Sequence, residues 1–245
     1  MRQKVAPKTT QVSFLQCFYI SLTRSVIMNM TVFRLPRFYP ILDVQTVRAR
    51  GFAPAVAARQ ILDAGAEILQ FRYKGSWTSE VLREVEIVQA SCKQAGAIFV
   101  VNDRADIAQM IGKTIGAGVH LGQEDLRPSE VRRFLGADVV VGISTHNRAQ
   151  VREALSEPAD YVAFGPIFGT KSKENPDPVV GLDELRWTRA LTDRPLVAIG
   201  GITRANARSV MEAGADSVAV IGDLYSGPDI RSGVREWLAI LTPDS

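Results

Sequence analysis

Residues 70–74 read Gln-Phe-Arg-Tyr-Lys, so polar and aromatic side chains alternate along the segment. In a β-strand the period of two puts Gln70, Arg72 and Lys74 on one side and the two aromatic rings on the other. Polar groups in a buried row are costly unless they meet a polar partner. A diphosphate suits this row, because arginine forks onto its oxygens and lysine adds a point charge. A salt bridge to an acid on a neighbouring strand is the alternative.

Two carboxylates, Asp103 and Asp125, follow two successive apolar runs, with Asn102 and Gln123 close by in the chain. Oxygen ligands without His or Cys partners suit Mg²⁺ bridging a substrate phosphate better than Zn²⁺. We therefore expect Asp103 and Asp125 to bind Mg²⁺. The alternative is that either aspartate caps the helix that follows it, Asp125 in particular.

Glycines end two further apolar runs, 195–202 and 218–222. Glycine lets backbone N–H groups approach a ligand closely. In a barrel of eight strand–helix units, the loops after strands seven and eight form a recurrent monophosphate site. These glycines predict such a site, and simple tight turns are the alternative.

The chain has two histidines, His120 and His146. His120 lies inside an apolar run and is predicted to be a core residue. His146 lies near the end of another run, but no acylation partner is evident, so a Ser–His nucleophile pair is not expected. Ser144 is predicted to donate a hydrogen bond to a phosphate.

Short runs rich in Val and Ile recur along the chain, each followed by an amphipathic helical stretch. They are Phe38–Asp43, Ile68–Lys74, Ala97–Asp103, Gly118–Gln123, Val139–Thr145, Tyr161–Ile167, Pro195–Gly201 and Ser217–Gly222. Runs that are apolar on both faces are typical of parallel strands buried under helices. The order predicts a single (βα)₈ TIM barrel with its site at the carboxyl ends of the strands. An open, doubly wound parallel sheet is the alternative.

The formal net charge is +3 and the sequence pI is about 9.0, values that suggest a nucleic-acid or membrane partner. Residues 1–37 carry six of the 29 basic side chains and none of the 26 acidic ones. The rest of the chain is therefore mildly acidic. We expect neither a nucleic-acid nor a membrane partner.

Residues 1–37 are predicted to be an N-terminal extension, either disordered or upstream of a true start at Met28 or Met30. The apolar run at 12–22 is too short to span a bilayer, and no clear small-x-small cleavage site follows it, which disfavours the alternative of a signal peptide. Residues 38–241 are predicted to form the catalytic barrel.

Cys17 and Cys92 are the only cysteines, so neither a disulfide framework nor a cysteine metal cluster is expected. This usage is typical of a cytoplasmic enzyme. The sequence leaves the oligomeric state open, a homo-oligomer included.

A series of ordered motifs over Phe38–Tyr225 resembles the thiamine-phosphate synthase (thiamine-phosphate pyrophosphorylase) family. The motifs are QFRYK (70–74), VND (101–103), GVHLGQEDL (118–126), GIST-H (142–146), GPIF-T-S-K (165–173), AIGGI (198–202) and AGADSVAVI (213–221). The resemblance implies a Mg²⁺-requiring transferase of thiamine biosynthesis. Such an enzyme condenses 4-amino-2-methyl-5-(diphosphooxymethyl)pyrimidine with a (carboxy)thiazole ethyl phosphate and releases pyrophosphate, by a dissociative displacement.

The resemblance also implies site residues at matching positions. The pyrimidine diphosphate site corresponds to Gln70, Phe71, Arg72, Tyr73, Lys74, Asn102, Ser144 and Lys173. Of these, the catalytic residues are Arg72, Lys74, Ser144 and Lys173. The thiazole phosphate site corresponds to Thr170, Lys171, Ser172, Gly201, Ile221 and Gly222. The metal ligands correspond to Asp103 and Asp125, in agreement with the expectation from the strand ends.

Three positions depart from the family pattern. Gly169 stands where proline is usual and is expected to loosen its loop. Ser172 replaces a second threonine and keeps the hydroxyl. Gly222 replaces a serine, so it loses a hydroxyl but keeps a backbone N–H for phosphate. None of the three removes a charged or metal-binding group.

Two rival functions remain open in the sequence. A thiazole tautomerase-like isomerase keeps the barrel and the monophosphate site, but typically lacks a complete diphosphate and Mg²⁺ set. A non-catalytic phosphate-binding barrel predicts ligand binding without turnover. A generic sugar-phosphate barrel has no reason for the paired aspartates or the polar row at 70–74.

Overall fold

The computed structural model describes residues 34–112, 117–170 and 177–242. Eight parallel strands pair in chain order and close into a barrel, because β1 pairs with β8. The strands are β1 (Phe38–Asp43), β2 (Ile68–Arg72), β3 (Ile98–Asn102), β4 (Gly118–Leu121), β5 (Val141–Thr145), β6 (Tyr161–Phe164), β7 (Leu196–Ala198) and β8 (Ser217–Val220). The predicted (βα)₈ barrel is confirmed, and the open sheet is excluded.

Helices follow the strands along the chain. They are α1 (Val44–Ala49), α2 (Pro54–Asp63), α3 (Ser79–Ala95), α4 (Ala105–Gly112), α5 (Pro128–Leu135), α6 (Arg148–Ser156), α7 (Gly181–Leu191), α8 (Ala207–Glu212) and α9 (Ile230–Leu241), with a 3₁₀ turn at Asp223–Tyr225. Their ends match local sequence signals. Thr78 caps α3 by accepting a hydrogen bond from the Val81 N–H at 3.4 Å, and Gly96, with φ +69°, ends it.

The strands separate two environments. Side chains on their outer faces, such as Phe71 and Leu121, are fully buried in the layer beneath the helices. In that layer the ring of Phe38 stacks on Trp237 of α9 with centroids 5.6 Å apart. The inner faces carry polar residues as well, including Gln70 and His120, which are 3% and 8% exposed. The barrel interior therefore holds hydrogen-bonding groups that need partners.

Two aspartates fasten the amino-terminal end of the barrel in the same way. Asp160, just before β6, accepts a hydrogen bond through Oδ2 from the Val141 N–H at 2.6 Å and pairs with Arg132 at 2.6 Å. Asp216, just before β8, accepts one from the Leu196 N–H at 2.8 Å. Each aspartate thus satisfies a backbone donor at the start of the preceding strand.

The barrel begins slightly before the predicted boundary at residue 38. Leu35 is buried, and the Arg37 carbonyl accepts a hydrogen bond from the Val218 N–H at 2.9 Å. Residues 1–33 lie outside the described part, so the character of the extension stays a prediction. Lys171, Ser172 and Lys173 also lie outside it. Within the described residues, no helix is long and apolar enough to cross a membrane.

Candidate active site

The carboxyl ends of β1 to β4 bring charged side chains to one edge of the barrel, which we call the mouth. Parallel pairing sets Asp43 at the end of β1 beside Arg72 at the end of β2. Lys74, Asp103 and Asp125 follow the ends of β2, β3 and β4. Neighbouring parallel strands deliver these side chains to the same place although they are far apart in the chain.

Arg72 forms an ion pair with Asp43 through Nη1 and Oδ2. Their side chains are 11% and 6% exposed. Asp43 also accepts hydrogen bonds from the N–H and the hydroxyl of Thr46, at 2.8 and 2.7 Å, and so caps α1. The salt bridge to a neighbouring strand, left open by the sequence, is therefore present. The ion pair uses Nη1 of Arg72. A guanidinium carries five N–H donors, so the ion pair also fixes the direction in which the remaining donors point.

Lys74, Asp103 and Asp125 form a second charged cluster. Lys74 Nζ donates to Asp103 Oδ2 at 2.5 Å. Burial raises the pKa of Asp125, and so does the neighbouring Asp103 carboxylate, whereas the Gly122 N–H and Lys74 act in the opposite direction. The two aspartates thus lie close enough to interact directly, as the sequence predicts.

Backbone geometry holds both aspartates in the mouth. Among the described residues, Asp103 is the only non-glycine residue with positive φ, at +65°. Its N–H donates to the His120 carbonyl at 2.7 Å. Asp125 accepts from the Gly122 N–H at 2.6 Å, whereas α5 begins after Arg127. Asp125 is therefore not the cap of that helix, which removes the alternative role for this residue.

The donor set at the mouth fits Mg²⁺ shared with a phosphate. Mg²⁺ is commonly held by one or two carboxylates plus substrate phosphate oxygens. Among the described residues, no group of three or more His, Cys, Asp or Glu side chains could hold a metal by itself. Asn102 Nδ2 beside Asp103 is buried without a hydrogen-bond partner. An acceptor oxygen on a bound ligand would satisfy this donor.

Two predicted polar residues lie inside the barrel below the mouth. Gln70 Nε2 donates to Tyr39 Oη at 3.1 Å. Ser144 Oγ lies 2.8 Å from His120 Nε2. His120 is buried, as predicted for a core histidine, but its ring is hydrogen-bonded to Ser144, a predicted substrate-binding residue. Burial raises the pKa of Tyr39 to about 12, so its phenol is neutral at physiological pH.

The two aromatic side chains of residues 70–74 do not lie with the polar side chains of that segment. Phe71 is fully buried beneath the helices, with its ring centroid 6.1 Å from that of Trp77. The period of two turns the Phe71 side chain away from Gln70, while its predicted place in the pyrimidine diphosphate site stays a prediction. Tyr73 is half-buried and packs edge-on against Trp77 at 5.8 Å.

The loops after β6 and β7 meet on the other side of the mouth. Gly201 has φ +66°, and a Cβ there would lie 2.5 Å from the Gly169 carbonyl oxygen. Close packing of two loops thus requires this glycine, as the tight-turn alternative predicted. Thr170 directly follows Gly169 in the chain. Lys171, Ser172 and Lys173 cannot be placed, since they lie outside the described residues.

The loops after β7 and β8 are joined by a charged pair. Arg204 Nε lies 2.9 Å from Asp223 Oδ2, and Arg204 Nη2 donates to the Ser226 hydroxyl at 2.8 Å. Asp223 directly follows Ile221 and Gly222, the residues predicted to face the thiazole phosphate. The pair therefore fixes the loop that carries them.

The sequence predicts no site role for Tyr39 or Tyr161, predicts His120 only as a core residue, and marks Asp43 only as the end of an apolar run. Asp43 ends an apolar run, the same signal that identified Asp103. Tyr39 and Tyr161 alternate with outward-facing residues, so the period of two places them inside the barrel. Their bond to each other spans 122 residues of chain and leaves no local signal.

The closed barrel and the acidic and basic cluster at its carboxyl end define a (βα)₈-barrel enzyme. Residues 38–224 match the family model TMP-TENI, thiamine monophosphate synthase, so the chain belongs to this family.

The chain is similar to proteins that carry the family's name. It is 46% identical over 213 residues to a thiamine-phosphate synthase of Koribacter versatilis, covering 85% of this chain and 97% of that protein. It is 38% identical to one from Caldicellulosiruptor saccharolyticus, covering 75% of this chain and 81% of that protein. The solved thiamine phosphate pyrophosphorylase of Pyrococcus furiosus superposes with a TM-score of 0.73 at 29% identity, over 84% of this chain and 95% of that one.

Proposed function

We propose that the protein condenses 4-amino-2-methyl-5-(diphosphooxymethyl)pyrimidine with a thiazole ethyl phosphate, giving thiamine phosphate and pyrophosphate. The observation that carries the proposal is the cluster of Lys74, Asp103 and Asp125 at the mouth, with the buried unpaired donor of Asn102 beside it. A diphosphate needs cations and hydrogen-bond donors such as Lys74 and Asn102. Family membership supports the same activity.

The two substrates occupy opposite sides of the mouth in this proposal. The pyrimidine diphosphate lies over the ends of β2 to β5, where Arg72, Lys74 and Ser144 are positioned. The thiazole phosphate lies by the loops after β6 to β8, near Gly201 and Gly222. This arrangement brings the reacting carbon of the pyrimidine substrate and the thiazole nitrogen together without a bimolecular search, which is the advantage of holding both partners in line.

Charge stabilisation is the main task of the protein in this reaction. Arg72, Lys74 and Lys173 neutralise the leaving pyrophosphate, so the C–O bond breaks before the thiazole nitrogen attacks. The pyrimidine carries the developing positive charge, and no general base is needed. Asp103 and Asp125 would hold Mg²⁺, which would supply further positive charge to stabilise the leaving diphosphate.

The test measures thiamine phosphate and pyrophosphate from the two phosphorylated precursors, with and without Mg²⁺. Changing Asp103 and Asp125 together to Asn is expected to abolish Mg²⁺-dependent turnover. Asn tolerates the positive φ of residue 103, so the fold is spared. The control is Asp138→Asn, at the opposite end of the barrel near the start of β5. Thiazole isomerisation without pyrophosphate release identifies the tautomerase-like alternative, and binding without turnover identifies the non-catalytic barrel.

A second arm compares the full chain with a chain begun at Met30. Equal turnover is expected, because every proposed site residue belongs to the barrel.

We also propose a cytoplasmic location, on the basis of the cysteine usage.

A further inference from the structure

A continuous row of buried hydrogen bonds crosses the barrel interior from Gln70 to Ser144. Gln70 Nε2 donates to Tyr39 Oη at 3.1 Å, and Tyr39 Oη lies 2.8 Å from Tyr161 Oη. Tyr161 Oη is 2.9 Å from His120 Nδ1, and His120 Nε2 is 2.8 Å from Ser144 Oγ. All five residues are at most 8% exposed. Both ends of the row are residues assigned to the pyrimidine diphosphate.

Distances alone leave the donor of each later bond open, and one direction follows when Gln70 donates through its amide nitrogen. An amide nitrogen donates and does not accept, so the Tyr39 hydroxyl accepts from Gln70 and turns its own hydrogen to Tyr161. In that direction Tyr161 donates to Nδ1 of His120. An imidazole that accepts at Nδ1 is neutral with its hydrogen on Nε2, and Nε2 donates to Ser144.

We propose that this row is polarised from Gln70 to Ser144 and that His120 is a positioning residue for Ser144. Because Ser144 Oγ accepts from His120, its own hydrogen points away from the histidine and is presented to the substrate as a donor. The role of Ser144 as a substrate contact rests on the proposed function. The direction of the row does not.

Packing holds the row in one arrangement. Gly142 on β5 faces the ring of Tyr161, and a Cβ there would lie 2.0 Å from it. The glycine therefore leaves the space through which Tyr161 reaches both Tyr39 and His120. The rings of His120 and Tyr161 stack with centroids 5.6 Å apart and an angle of 15°. Burial raises the pKa of Tyr39 and Tyr161, so both keep their hydroxyl hydrogens.

The direct test is the tautomer of His120, measured by ¹⁵N NMR on histidine-labelled full-length protein. The chain has two histidines, so His146→Gln leaves one set of signals. Should that variant fold poorly, the signals that move in Tyr161→Phe identify His120. A hydrogen on Nε2 with a bare Nδ1 is expected. A hydrogen on Nδ1, which the reverse amide orientation of Gln70 requires, or a doubly protonated ring overturns the proposal.

This measurement distinguishes a failure of the polarised row from a failure of the proposed function. The spectrum decides the direction of the row even in a protein that forms no thiamine phosphate. Conversely, thiamine phosphate formation with the opposite tautomer leaves the proposed function standing and rejects the polarised row.

Kinetics provide the second test. Tyr161→Phe removes the donor to His120, so kcat is expected to fall roughly 3- to 10-fold, the effect of one hydrogen bond, with little change in KM. The His120 spectrum should then show both tautomers. Tyr225→Phe is the matched control, because Tyr225 is equally buried and donates to the Ile41 carbonyl at 3.1 Å outside the row. Unchanged kcat in Tyr161→Phe, or an equal fall in both variants, contradicts the proposal.

Discussion

Lys74 Nζ lies 2.5 Å from Asp103 Oδ2, which joins a cation assigned to the diphosphate to a carboxylate assigned to the metal. The two side chains are 47% and 21% exposed, so the pair is accessible from the mouth. An exposed pair of this kind adds little stability. The pair places a positive charge beside Asp103 and Asp125. A bound anionic ligand can there replace the Asp103 carboxylate as the partner of Lys74.

Replacing Lys74 by Met is therefore expected to affect turnover far more than folding. Loss of one donor that stabilises developing charge typically lowers kcat about 10²–10³-fold. Pyrophosphate release under saturating substrate measures the effect. Lys93→Met serves as the control, because Lys93 is exposed near the end of α3, away from the mouth. A Lys74 variant with kcat close to that of the unmodified protein removes Lys74 from the diphosphate site.

The pair of Arg72 and Asp43 is expected to matter for stability as well. Both side chains are nearly buried, and removing one partner of a buried pair costs about 3 kcal/mol or more. Asp43→Asn keeps an oxygen to cap α1 but removes the charge opposite Arg72. Urea unfolding measures the free-energy change.

The control for this stability prediction is the exposed pair of Arg48 and Glu84, whose side chains are 41% and 21% exposed. Glu84→Gln should cost less than about 1 kcal/mol. If Asp43→Asn and Glu84→Gln lower the free energy of unfolding equally, the buried pair has no special weight.

The barrel itself was predictable from sequence because each strand is a short apolar run between turn signals. All eight predicted runs contain an observed strand. The runs extend past several strands, as at Tyr161–Ile167, where β6 ends at Phe164. Apolar residues continue from the strands into the packed loops, whereas hydrogen-bonded pairing between strands does not. The residue at which each strand ends therefore cannot be located from composition alone.

The site was predictable in part. Residues that follow the strand ends, such as Asp103 and Asp125, are predictable because the fold class alone directs these positions to the mouth. Pairings across the barrel could not be found. The contact of Tyr39 with Tyr161 depends on barrel closure and on the missing side chain of Gly142, neither of which has a local pattern.

Arg204 is expected to act on substrate affinity through Asp223. Without the guanidinium, the Asp223 carboxylate stands unpaired next to Gly222 and repels a phosphate. In Arg204→Met the KM for the thiazole phosphate should rise about tenfold, which corresponds to about 1.4 kcal/mol, with little change in kcat. Initial rates at varied thiazole phosphate measure both constants.

Arg231→Met is the matched control for Arg204. Arg231 pairs with Asp63 at 2.9 Å, and both side chains are about half exposed, so its loss should leave KM unchanged. A fall in kcat with unchanged KM in Arg204→Met argues for a role at the reacting atoms instead of at the phosphate loop.

Cys92 makes the stability of the fold sensitive to alkaline pH. Burial raises the pKa of its thiol from 9.0 to about 12. Since the unfolded chain loses this proton first, the stabilisation is complete below pH 9 and is lost as the pH rises towards 12, at about 1.4 kcal/mol per pH unit. Urea unfolding from about pH 8 to pH 10 should show a steeper decline for the unmodified protein than for Cys92→Ala. Cys17 is present in both and cancels. Parallel declines for the two proteins mean that the thiol ionises equally in both states.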